Sequence, residues 1–229
     1  MRFVVIRHGQ SVNNLLYEQT GDSVGRHHDP ELTDLGHTQA ARLAETVSAG
    51  ALPWQITQIH TSLMTRAVQT AAPLADALDL PLLGHLDAYE LGGPFTEADE
   101  VRTPHPGASD TALLAASARL VLPETAGADG WYTLPYEHDA EVRAARARAL
   151  VSGLREQHDD GDVVALFTHG AFFQHLLRAF LGIEQMTGWV VKHNTAISLF
   201  ADEPKTDGAT VTAHALDWMP HLSDDLVSE

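Results

Sequence analysis

The chain has 229 residues, with 14 Lys and Arg against 31 Asp and Glu, a formal net charge of −17, 14 His and no Cys. The lack of Cys excludes a disulfide framework and a thiolate metal site. So acidic a chain also repels nucleic acid and anionic membrane surfaces at long range. Hydrophobic residues at 44% and charged residues at 20% fit a folded globular protein, of a length for one large domain or one domain with an insertion.

Residues 3–6, Phe-Val-Val-Ile, form an apolar run that Arg7 and His8 interrupt at once. It is too short for a signal-peptide core or a membrane span, so a soluble, cytoplasmic protein is expected. It reads instead as a buried, central, parallel strand with Arg7-His8-Gly9 at its C-terminal end. Residues 35–47 carry apolar side chains near helical spacing, with Thr33 or Asp34 as N-cap. Residues 56–60 read as a short strand. Ser62 then opens a helix to about Leu78, with a kink or break at Pro73. A strand over residues 82–86 precedes Asp87 and Glu90. Residues 92–140, rich in Gly and Pro around one helical stretch at 108–122, read as an inserted lid. Residues 137–157 read as a long surface helix. Residues 163–167, Val-Val-Ala-Leu-Phe, are a second apolar run, ending in Thr168-His169-Gly170 before a helix over 171–181. Residues 196–201 and 209–213 are late strands, and the tail over 222–229 is expected to fray. Strands alternating with helices predict one α/β domain with a mainly parallel sheet covered on both faces.

The two strongest strands thus end in the same dipeptide, His8-Gly9 and His169-Gly170. Carboxyl ends of strands are where open α/β sheets bind ligands, so the two imidazoles can face one crevice. Arg66 lies in the first turn of its helix, where a cation opposes the macrodipole; an anion in front of that helix would compensate. His27-His28-Asp29 lacks helical ligand spacing and reads as lining the substrate mouth rather than holding a metal.

Arg7-His8-Gly9-Gln10-Ser11 with Asn14 resembles the Arg-His-Gly signature of the histidine phosphatase superfamily, in its phosphoglycerate-mutase-like branch. Further segments match in order: Leu32-Thr33 with Gly36 and Gln39-Ala40; Ser62-Leu63 with Arg66-Ala67 and Gln69-Thr70-Ala71; Glu90-Leu91; Thr168-His169-Gly170; and Asn194 before a late strand. The resemblance implies a three-layer αβα sandwich and a phosphohistidine mechanism, and it points to Glu90 as the proton donor, with Asp87 second.

The chemistry also stands on its own terms. Phosphoryl transfer needs positioning and neutralisation of three equatorial oxygens. Arg7 and Arg66 are forked donors suited to phosphate, and His169 can add a third positive group. Asn14 and the backbone of the glycine turns, Gly170 among them, add uncharged donors. Neighbouring arginines keep His8 unprotonated and nucleophilic, while its other ring nitrogen requires an acceptor that the sequence does not name. Such a cage needs neither metal nor cofactor. Residues 91–140 contain only Arg102 and Arg119 as cations, alongside Phe95, Trp131, Tyr132 and Tyr136. That composition suits a neutral or apolar leaving group better than a second phosphate, and favours a phosphatase of small phosphorylated metabolites, of broad specificity, over a cofactor-dependent phosphoglycerate mutase. A catalytically silent phospholigand binder stays open, as does a homodimer.

Overall fold

The computed structural model describes residues 1–99, 101–208 and 210–229. The two apolar runs are neighbours: β1 (Arg2–Arg7) pairs in parallel with β7 (Val163–Thr168), Arg7 opposite Thr168. On the far side of β7 lies β2 (Gln58–Ser62), also parallel, followed outward by β3 (Leu82–His85) and the edge strand β6 (Leu120–Val121). Beyond β1 the direction reverses, with β8 (Ile197–Asp202) and β9 (Val211–Trp218) antiparallel. The order in this seven-stranded sheet is β6-β3-β2-β7-β1-β8-β9. The parallel register brings the carboxyl ends of β1, β7 and β2 into one row.

Helices cover both faces. Val4, Ile6, Ile59, Ala165 and Phe167 pack beneath α2 (Asp34–Ser48) and α3 (Thr65–Leu78). The alternate residues Phe3, Val5, Val164 and Leu166 pack beneath α5 (Ala140–Gln157) and α6 (Gly170–Leu181). Strands buried on both faces explain the unbroken apolar runs. The short α1 (Val12–Thr20) follows the first His-Gly turn. No helix among the described residues is long and apolar enough to cross a membrane.

Several sequence expectations shift. Ser62 ends β2 and does not open the helix; its Oγ accepts the Met64 N–H, and α3 begins at Thr65 and runs unbroken through Pro73. The strand expected over 56–60 sits two residues later, and the surface helix begins at Ala140 behind its cap, Asp139. The last strand is longer than expected, and Ala209, its anticipated start, lies outside the described residues. Helix over 108–122 is limited to α4 (Asp110–Ala116), because Leu120 and Val121 pair with β3 instead. Elsewhere in 92–140, β4 (Phe95–Ala98) and β5 (Val101–Pro104) form a separate two-stranded sheet, while Trp131 and Tyr132 are buried in the main core. The tail is not frayed. Gln39 Nε2 donates to Leu226 O at 2.8 Å and to Ser228 Oγ at 2.9 Å, and Ser228 O accepts the Asn194 N–H at 2.9 Å.

One close backbone approach fixes the first His-Gly turn. A Cβ at Gly36 would collide with Gln10 O, and one at Gly9 would lie 2.7 Å from Gly36 O. Gly36→Ala is therefore expected to cost about 1–3 kcal/mol, read as a lowered Tm. Gly153→Ala, with nothing within 4 Å of the added methyl, should instead gain about 0.5–1 kcal/mol.

Candidate active site

His8 is held from three directions. Its N–H donates to Thr168 O at 3.0 Å, continuing the β1–β7 pairing. Its carbonyl accepts Asn194 Nδ2 at 3.1 Å and the Thr195 N–H at 3.2 Å. Thr195 adopts φ 57°, a region that β-branched residues avoid, so the fold sustains local strain to aim that N–H. The ring Nδ1 donates to Gly9 O at 2.7 Å, which supplies the acceptor the sequence left unnamed. The Nε2 lone pair is thereby exposed to the site, where Arg66 Nε donates to it at 3.0 Å. Burial first, then Arg66 and Arg7, push the His8 imidazole well below its ordinary value. The ring is neutral near pH ~7.

The shared motif residues are brackets around this turn. Gly9 N–H donates to Thr70 Oγ1 at 2.9 Å, Gln10 N–H to Gln39 Oε1 at 2.8 Å, and Leu32 N–H to Gln69 Oε1 at 2.9 Å. Asn14 spends its Oδ1 in a capping box with Ser11, which leaves its amide N–H groups as donors.

Arg66 enters from the first turn of α3. That helix has no cap from Met64; Asp29 takes the role, accepting Thr65 N–H at 3.0 Å and Thr65 Oγ1 at 2.8 Å. Its carboxylate offsets the unfavourable cation at this helix end. Asp29 is thus a positioning residue. With His27 and His28 it lines a neighbouring crevice of about 600 Å³, not the cavity of His8. Among the described residues no three His, Asp or Glu side chains form a metal-holding group.

Arg7 donates to the Lys192 carbonyl, and a Cβ at Gly170 would come within 3.2 Å of Arg7 Nε, so glycine there gives the guanidinium room. Burial pulls both arginines below their ordinary values, opposed at Arg7 by Glu90 and at Arg66 by Asp29 and Glu90. Both stay charged. His169 is fully buried behind His8, with ring centroids 5.1 Å apart and its Nε2 2.9 Å from Ser62 Oγ. Burial, then Arg66, push its imidazole well below its ordinary value, so the expected third positive charge is a neutral ring in the free site.

Glu90 Oε1 accepts the N–H groups of Leu91 and Phe172, each at 2.8 Å, and Oε2 accepts that of Ala171 at 3.1 Å. It therefore caps α6. Its segment is anchored by the buried Arg146, which bonds the carbonyls of Asp87 and Tyr89 and pairs with Glu137 at 2.8 Å. Asp87 turns its carbonyl inward and lines neither cavity described next.

A cavity of about 190 Å³ is lined by Arg7, His8, Asn14, Arg66, Glu90 and one residue that sequence reasoning missed, Arg26. It adjoins a larger one of about 770 Å³, which shares Arg7, Asn14, Tyr17 and Glu90 and adds Gly170, Lys192 and Trp189. The rim aromatics are Tyr17 and Trp189, 63% and 65% exposed, rather than the lid aromatics; Phe95, Trp131 and Tyr132 are all buried.

A family model described as the histidine phosphatase superfamily (branch 1) matches residues 3–215. The chain belongs to this superfamily. No curated protein matches it significantly. Among solved structures, it resembles a mycobacterial glucosyl-3-phosphoglycerate phosphatase at 22% identity and TM-score 0.59, covering 94% of this chain and 98% of that one. It also resembles a phosphoserine phosphatase from Entamoeba histolytica, solved with 3-phosphoglyceric acid, at 20% identity and TM-score 0.60, covering 97% and 99%. An ecdysone phosphate phosphatase from Bombix mori, solved with tungstate, aligns at 15% identity and TM-score 0.67, covering 97% and 95%. At these identities the likeness establishes a shared fold.

The buried, arginine-flanked ring gives a direct spectroscopic expectation. The His8 ring resonances should not titrate between about pH 8 and pH 6 in a histidine NMR titration. A midpoint near the ordinary value would contradict the electrostatic account of the site.

Proposed function

We propose that this protein is a metal-independent phosphomonoester hydrolase that acts on small phosphorylated metabolites through a phosphohistidine at His8. The observation that carries this reading is the fixed lone pair: Nδ1 is committed to Gly9 O, and Nε2 faces a cavity lined by Arg7 and Arg66. That the proteins of the same fold described above are phosphatases supports it.

In the proposed reaction the phosphoryl group sits between Arg7 and Arg66, with Asn14 and the Gly170 end of α6 as further donors, while His169, which lines neither cavity, backs the His8 ring. As Arg66 Nε turns from His8 to the phosphoryl oxygens, the freed Nε2 lone pair attacks phosphorus in line, forming an N–P bond as the P–O ester bond breaks. The leaving oxygen takes a proton from Glu90. A carboxylate offers about four lone-pair sites, and three are occupied here by backbone N–H groups, which leaves one site on Oε2 free to hold and pass a proton. Water then attacks the phosphohistidine, gives its proton to Glu90 and releases phosphate, restoring His8.

The mutase reading requires extra cations to hold a bisphosphorylated intermediate. Arg102 pairs with Glu97 at 3.3 Å and Arg119 with Asp76 at 2.8 Å, and neither lines the cavity, so the lid adds no cation and Arg26 is the one arginine there beyond Arg7 and Arg66 among the described residues. A silent phospholigand binder would have no use for the strained support beneath the His8 carbonyl.

His8→Ala is expected to reduce p-nitrophenyl phosphate turnover by about 10³-fold or more, while a chelator leaves the wild type unchanged. Unchanged turnover in the variant would sink the nucleophile assignment, and loss with chelator would establish a metal enzyme. Glu90→Gln should slow an alkyl phosphate about 10²-fold but affect p-nitrophenyl phosphate far less, because nitrophenolate leaves without a proton. Equal slowing of both esters would remove Glu90 from the acid role.

A further inference from the structure

Most arginines in this acidic chain reach a carboxylate: Arg119 pairs with Asp76, Arg146 with Glu137 and Arg155 with Asp202. Arg7, Arg26 and Arg66 do not form such an ion pair among the described residues, and all three line the 190 Å³ cavity. Arg7 donates to the Lys192 carbonyl and Arg66 to His8. Arg26 has no such engagement. Its Cζ sits over the Phe95 ring, 3.7 Å from the centroid, and its Nε is buried without a hydrogen-bond partner among the described residues.

The position of Arg26 is built rather than incidental. Asn13 clamps its loop, donating to His27 O at 2.8 Å and accepting the His27 N–H at 2.9 Å. Phe95 is buried and meets Tyr136 edge to face at 4.8 Å, so the stacking platform is itself fixed. Stacking on the ring occupies the guanidinium face and leaves its edge donors free for an in-plane acceptor. Burial, and next the repulsion of Arg66, draw the Arg26 guanidinium down to about 10. An anion is the ligand that relieves both. Arg7 and Arg66 already serve the phosphoryl group in the proposed reaction, so Arg26 is a third cation with no assigned anion.

We propose that Arg26 is a specificity-determining residue that binds a carboxylate on the leaving group, selecting carboxylate-bearing phosphomonoesters over their uncharged counterparts. This rests on the reading of the site as a phosphomonoesterase and names the substrate class it prefers.

The test uses two matched pairs of esters: phosphoglycolate against ethyl phosphate, and 3-phosphoglycerate against glycerol 3-phosphate. In each pair only the first carries the carboxylate. Wild type is expected to favour the carboxylate ester in at least one pair by about 10-fold or more in kcat/KM, expressed in KM. Arg26→Gln should collapse that ratio to within about 3-fold, and Arg26→Lys should retain part of it. Three results overturn the proposal: no preference in either pair by wild type, a ratio unchanged in Arg26→Gln, or equal losses on both members of a pair. The last would place Arg26 among the phosphoryl ligands. Calorimetric binding of the same esters to His8→Ala and to His8→Ala/Arg26→Gln repeats the comparison without turnover. It can therefore fail or succeed independently of hydrolysis, whereas wild-type inactivity on p-nitrophenyl phosphate would count against the phosphatase reading alone.

Discussion

The site depends on burying two guanidinium groups around a neutral imidazole at the ends of three parallel strands. Burying such cations costs several kcal/mol each unless polar partners surround them. Here the partners are a carbonyl at Lys192, the His8 Nε2 lone pair, and the fields of Glu90 and Asp29. Burial, and next the repulsion of Arg66 and Arg7, keep His8 unprotonated, so the arrangement that strains the free protein also prepares the nucleophile that we propose. A dianionic phosphoryl group would relieve it. The Gly9–Gly36 approach, the Thr70, Gln39 and Gln69 brackets and the Asp29 cap all maintain this one geometry.

The parts legible in the sequence were those with local physical signatures. Two continuous apolar runs announced the strands buried on both faces, and His8 and His169 followed from where those runs stop. Thr33 and Arg66 were legible from helix-end chemistry. What was missed depends on contacts far apart in the chain. Arg26 carries no local signal, because only its stacking on Phe95 brings it to the cavity. Asp29 sat beside two histidines and read with them as lining the substrate mouth, whereas its partner is Thr65. The alanine-rich stretch near residue 115 favours helix locally, yet pairing of Leu120 with Leu82 ends it early. The polar tail lacks an apolar face, and its order comes from Gln39, which no local pattern reveals. Likewise the aromatic residues of 92–140 were legible as a group, but burial in the core removes most of them from the site.

The charge of −17 coexists with the proposed anion site because Glu90 is the one acidic residue lining that cavity among the described residues. Carboxylates elsewhere pair with surface arginines, while three arginines without ion pairs converge on one cavity. Long-range repulsion slows an anionic substrate somewhat and is screened by salt within a Debye length of about 8–10 Å. Over the last few ångströms the local cage dominates. Histidine abundance resolves in the same way: two imidazoles meet at the strand ends, while His28 stacks on His105 at 3.4 Å away from the nucleophile.

The central claim is that His8 carries the phosphoryl group. Wild-type protein mixed with a phosphomonoester, quenched in denaturant at alkaline pH and mapped by mass spectrometry, tests it most directly. The account predicts an acid-labile phosphate on the peptide containing His8, located on that residue and absent from His8→Ala. Turnover with phosphate trapped on another side chain, or with none trapped at any time before steady state, would contradict it.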